Sequence, residues 1–124
     1  MKRIVSTRFT ALLLRFGGKT MEHDQKISQE EARERMEAGD VIVLDVREQE
    51  EYDSGHIPGA VLLPLGAIDG ESAAEAIPKK DAAVLVYCRS GSRSKRAAKA
   101  LAELGYTGVY EFGGIMTWPY DVVK

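Results

Sequence analysis

Three features of this 124-residue chain predict an α/β domain built on a parallel sheet. Mainly apolar runs of strand length recur at 41–46, 60–63, 83–87 and 109–112, the first of them with the pattern of a strand buried on both faces. Helical patterns lie between them, and that alternation calls for crossover connections and hence parallel pairing. The third feature is the junction Val84-Leu85-Val86-Tyr87-Cys88-Arg89-Ser90-Gly91-Ser92-Arg93-Ser94. There a strand ends on the only cysteine, passes a short polar loop and enters an Ala- and Lys-rich helix. This topology puts a thiol where α/β folds bind ligands, at the carboxyl end of a strand and over a helix N-terminus.

Composition sets the bounds. The length suits one domain with a single core, and 44% hydrophobic with 29% charged residues is ordinary for a soluble protein. A formal net charge of −2 argues against general nucleic-acid binding, so the basic residues near Cys88 read as a local site. A single cysteine excludes an intramolecular disulfide and any multi-cysteine metal site, and the two histidines are far apart, so no metal motif is present. A reduced, intracellular compartment, most simply the cytoplasm, is expected.

Residues 1–20 carry Lys2, Arg3, Arg8, Arg15 and Lys19, no acidic residue, and the run Ala11-Leu12-Leu13-Leu14. A secretory signal, an organellar transit peptide and an extension ahead of the domain are all open readings, with the extension preferred. The apolar run is too short to span a membrane. Met21 to Lys26 is polar and reads as a linker. The expected division is therefore an extension and linker over 1–25 and a domain over 26–124.

The first helix opens at Ser28, with Glu31 three residues on as a capping box and Ile27 with Ala32 as a staple. Ala32 and Met36 share a face, and Gly39 stops it. After strand 41–46, Arg47 to Ser54 reads as a short polar helix ending at Gly55. His56-Ile57-Pro58-Gly59 is a tight turn before strand 60–63, which Pro64 ends. Leu65 to Asp81 is irregular, with one helical turn at 72–76. Beyond the cysteine loop, Ala97, Ala98, Leu101 and Leu104 mark one face of a helix capped by Gly105.

Asp45-Val46-Arg47, Glu51-Tyr52 and Gly55-His56-Ile57-Pro58-Gly59-Ala60 together resemble the amino-terminal signature of rhodanese-homology domains. In that family these residues build scaffold beside the active site. Asp45 with Arg47 accordingly reads as an internal ion-pair brace rather than a charge relay. His56 reads as a hydrogen-bonded turn residue rather than a general base, and Glu51 as structural support.

Cys88 admits two readings, a small buried hydrophobe or a poised nucleophile. Arg89, Arg93, Lys95 and Arg96 weigh toward the second. Exposed cations at a helix N-terminus oppose the dipole by roughly 0.3–1 kcal/mol each, which makes sense where an anion is held between them. Orphan N–H groups at the same helix end favour that anion too. Cys88-Arg89-Ser90-Gly91-Ser92-Arg93-Ser94 resembles the active-site loop of single-domain rhodaneses, in which the cysteine becomes a persulfide. Between Cys88 and Arg93 lies one residue fewer than in tyrosine phosphatases; by family analogy the shorter ring suits sulfur rather than a phosphoryl group. Phe112-Gly113-Gly114 with Trp118 resembles the carboxyl-terminal rhodanese signature, and Pro119 shortens the family's final helix. Trp118 itself reads as core.

The resemblance implies a five-stranded, mainly parallel sheet with helices on both faces, the fifth strand near Lys26 and Ile27. It also implies sulfur transfer of the thiosulfate sulfurtransferase kind. Cys88 is the nucleophile, and the amides of residues 89–93 nest the outer sulfur. Arg93 stabilises the thiolate and persulfide, and Arg89 meets the sulfonate end of a donor. Gly91 permits the turn, Ser90 and Ser92 add hydroxyls, and Ser94 caps the helix. No metal or organic cofactor is expected. The expected partners are small sulfur-donor anions and a thiol or dithiol protein acceptor, with the chain a monomer or weak dimer. The competing classes are a non-catalytic binding module of the same fold and, further off, a phosphatase or arsenate reductase.

Overall fold

The computed structural model describes residues 24–124; the readings made of residues 1–23 lie outside them. Strand β1 (Asp24–Lys26) is followed by α1 (Gln29–Ala38), β2 (Val41–Asp45), α2 (Gln49–Ser54) and β3 (Val61–Leu62). Then come α3 (Gly70–Ala76), β4 (Ala83–Cys88), α4 (Ser92–Glu103) and β5 (Gly108–Gly114). The five strands form one sheet in the order β1-β5-β4-β2-β3, every pair parallel. Parallel pairing brings the carboxyl ends of β2, β4 and β5 to one edge, and Cys88 closes the central strand there.

Alternation along β4 divides the core. Val84, Val86 and Cys88 face one side with Ala73 and Ile77, packed against Ala97, Ala98 and Leu101 of α4. Leu85 and Tyr87 face the other with Ala32 of α1, Ile57, Ala60, Phe112 and Trp118. Helices therefore cover both faces, and the period-2 switch of β4 is what feeds two cores from one strand. A fully buried Leu such as Leu101 contributes roughly 1.5–3 kcal/mol. Small Ala97 and Ala98 let α4 lie close to the sheet and fix where its first turn stands.

Local signals explain the element ends. Ser28 Oγ accepts the Glu31 N–H at 3.0 Å, and Gly39, at φ +88°, ends α1. At the end of α4, Gly105 takes φ +101°, with its N–H on Ala102 O and that of Tyr106 on Leu101 O, a Schellman closure.

Two expectations need correction, and a third, the final helix cut short before Pro119, is seen. Asp24 to Lys26 are not linker: they pair with Val109, Tyr110 and Glu111, completing the sheet. The single turn expected at 72–76 is α3, because Asp69 and Ser72 cap each other and start the helix at Gly70. After β5 there is only a 3₁₀ turn, Ile115–Thr117, among the described residues. Pro119 has no N–H to continue it. Instead Trp118 packs on Phe112 and Tyr120, and Val123 forms a bridge with His56. No helix among the described residues is long and apolar enough to cross a membrane.

Candidate active site

The site grows from a register shift. Val86 pairs with Glu111, but Cys88 pairs with Gly114, so β5 carries an extra residue opposite the end of β4. Gly113 absorbs it at φ +91°. The shift slides Gly114 directly under the Arg89 carbonyl, so closely that a Cβ there would collide with it. The loop is thus seated on bare backbone, with the Met116 N–H on the Arg89 carbonyl at 3.1 Å.

Cys88 is 1% exposed, covered by a loop whose Arg89, Ser90 and Ser92 are exposed. The chain turns at Gly91 (φ +120°), and its N–H donates to Cys88 Sγ at 3.0 Å. The sulfur thus sits against a donated amide at the start of a helix.

Arg93 points across to α2. Its Nη1 and Nη2 reach Glu51 Oε1 and Oε2 at 2.8 and 2.9 Å, a two-pronged pair. That pairing holds the Glu51 carboxyl down at about 2 and holds the Arg93 guanidinium up. Arg89, Ser90 and Ser92 have no hydrogen-bond or ion-pair partner for their side chains among the described residues. Ser94 does not cap α4, whose N-cap is Gly91. Ser94 is buried in the first turn, its Oγ 2.9 Å from Glu111 Oε1, 3.0 Å from Gly91 O and 3.3 Å from Gly113 O.

Asp45, Arg47 and His56 lie behind the edge. Arg47 pairs with Asp45 at 2.7 Å and donates to Gly55 O at 2.7 Å, while Tyr87 O–H donates to Asp45 Oδ2 at 2.7 Å and accepts from the Ile57 N–H. Burial with the Asp45 hydrogen bond pushes the Tyr87 phenol up. His56 stacks on Tyr52 at 3.8 Å, and its Nδ1 is 3.0 Å from Tyr52 O. These contacts brace the turn.

Two residues at the site escape the sequence reading. Glu111 is a carboxylate inside an apolar strand, which was its only signal. Gln29 Nε2 donates to Gly114 O at 2.9 Å from the far face, and nothing in the sequence marks it. Among the described residues, no cluster of three His, Cys, Asp or Glu side chains offers a metal site.

Residues 28–119 match the model of the rhodanese-like domain. The chain belongs to that family. It is 42% identical over 81 residues to the thiosulfate sulfurtransferase PspE of Escherichia coli, covering 65% of this chain and 77% of that one. It is 37% identical over 95 residues to the thiosulfate sulfurtransferase GlpE of Coxiella burnetii, covering 76% and 86%. Among solved structures, a rhodanese with anions from E. coli superposes with a TM-score of 0.63 at 38% identity, covering 68% of this chain and 98% of that one. The human single domain sulfurtransferase TSTD1 gives 0.64 at 26% identity, covering 75% and 92%. This rhodanese-like chain is a sulfurtransferase.

Proposed function

We propose that Cys88 carries sulfane sulfur as a persulfide, taken from thiosulfate or a persulfide donor and handed to a thiol or dithiol protein. The Cys88 thiolate attacks the outer sulfur of thiosulfate. A new S–S bond forms, the old one breaks, and sulfite leaves with its electron pair. The acceptor thiolate then attacks the outer persulfide sulfur, and Cys88 departs as thiolate, ready for another cycle. No proton has to be removed during attack, so the scheme uses neither a general base nor a metal or organic cofactor.

The observation that carries the reading is the Gly91 N–H donated to Cys88 Sγ, at the start of a helix. Names of relatives such as thiosulfate sulfurtransferase PspE favour thiosulfate as one donor. Arg89, exposed and unpaired among the described residues, meets the donor's sulfonate. Arg93, fixed by Glu51, supplies a stationary positive field rather than a mobile ligand. Ser90 and Ser92 offer hydroxyls at the loop's open side. A monomer or weak dimer working in the reducing cytoplasm fits a free thiol as the reactive group.

A donor–acceptor screen read by persulfide on Cys88 tests the scheme. Thiosulfate or a low-molecular-weight persulfide is expected to load the protein, and a thiol to unload it. Hydrolysis of an aryl phosphate without sulfur uptake would instead favour the phosphatase class.

A further inference from the structure

We propose that Glu111 is a positioning residue of the sulfur-carrying loop, acting on Cys88 through Ser94, Gly113 and Gly91; the inference rests on the persulfide reading above. Glu111 is 3% exposed on β5. Its Oε1 accepts the Gly113 N–H at 3.1 Å and stands 2.9 Å from Ser94 Oγ. Among the described residues its Oε2 is buried with no hydrogen-bond partner, and Lys26 Nζ lies 3.9 Å away on a side chain 69% exposed. A half-satisfied buried carboxylate is a poor way to stabilise a core, since an apolar residue of similar size does as well or better.

What the carboxylate does is join the two supports of Gly91. One is Ser94, whose single O–H is shared between Glu111 Oε1 at 2.9 Å and the Gly91 carbonyl at 3.0 Å. The other is Gly113, whose Cα would sit 3.5 Å from a Cβ on Gly91. Ser94 thus holds the peptide that leaves Gly91 and Gly113 packs beside its Cα, which fixes Gly91 on both sides while the N–H of the peptide entering it falls on Sγ. Gln29 closes the same turn from the opposite face through Gly114 O and Phe112 O. Glu111 therefore touches no reacting atom. It fixes the direction of the amide that does.

The test compares Glu111→Ala and Glu111→Gln with wild type in the full chain. The readouts are the pH dependence of Cys88 alkylation by iodoacetamide, the rate of persulfide formation from thiosulfate, and thermal melting. Glu111→Ala is expected to move the alkylation profile to higher pH and slow loading about tenfold, the effect of losing one hydrogen bond to a charged group. Glu111→Gln keeps an oxygen acceptor and is expected to restore both to within about twofold of wild type. A Glu111→Ala protein that only melts earlier, with an unchanged alkylation profile and loading rate, overturns the proposal. So does a Glu111→Gln protein as impaired as Glu111→Ala. Should Glu111→Ala not fold, Ser94→Ala breaks the same chain and must shift the alkylation profile likewise; no shift overturns the proposal. If wild type takes no sulfur from thiosulfate or a persulfide while Glu111→Ala still shifts alkylation, the positioning role stands and the persulfide reading falls.

Discussion

Arg93 and Glu51 are locked together fork to fork, at 2.8 and 2.9 Å, across the mouth of the loop that holds Cys88. The two charges act on the sulfur with opposite signs. Arg93→Ala leaves the Glu51 carboxylate uncompensated and is expected to move Cys88 alkylation to higher pH. Glu51→Gln leaves the guanidinium uncompensated and is expected to move it lower, each by up to about one pH unit. Shifts of the same sign in both variants would show that the pair acts on the loop's shape rather than its field.

The same pair sets an acid limit on stability. Hydrogen bonding from Arg93 lowers the Glu51 carboxyl from 4.5 to about 2 in the fold, so the unfolded chain takes up the proton first as pH falls. The contribution is full above about pH 4.5 and lost on descent toward pH 2. Because the pair is partly exposed, it amounts to roughly 1 kcal/mol. Glu51→Gln is expected to melt a few degrees below wild type at pH 7 and to converge with it as pH falls through that window. Parallel melting curves against pH would contradict the assignment.

Gly114 is expected to be intolerant of any side chain. An alanine Cβ would collide with the Arg89 carbonyl group, so Gly114→Ala must displace backbone and should lower stability by about 3 kcal/mol or more. A Cβ on Gly66 would meet nothing within 4 Å among the described residues, and Gly66→Ala is expected to be close to neutral. Urea denaturation of the two variants makes the comparison.

Tyr87→Phe separates bracing from chemistry. It leaves the Ile57 N–H and Asp45 Oδ2 each short of a buried partner, a loss of about 1–3 kcal/mol in urea denaturation. The sulfur-transfer rate per folded molecule is expected to hold, because the phenol faces away from the Cys88 side of β4.

Four strands, the helices between them and the cysteine loop were legible because each rests on local rules. The fifth strand came only from the family resemblance, because Asp24–Lys26 is too short and polar to show a strand pattern of its own. β4 shows an unbroken apolar run, α1 a Ser28 cap, α4 an apolar face closed by Gly105. The partners across the site were less so. Arg93 and Glu51 lie on different helices, and no spacing rule links them. Ser94 sits where a capping residue is expected, yet Gly91 takes the cap. Ser94 turns inward because Glu111, brought beneath it at the β5 bulge, provides a nearby acceptor. Bulges depend on how two strands meet, which neither strand's pattern declares.

Intact mass after incubation with thiosulfate tests the central claim most directly. Wild type is expected to gain the mass of one sulfur atom, lost again on adding a thiol, while Cys88→Ser gains nothing. A folded wild-type protein that gains no sulfur from thiosulfate or from a persulfide, or a Cys88→Ser protein that gains it equally, would contradict the persulfide mechanism.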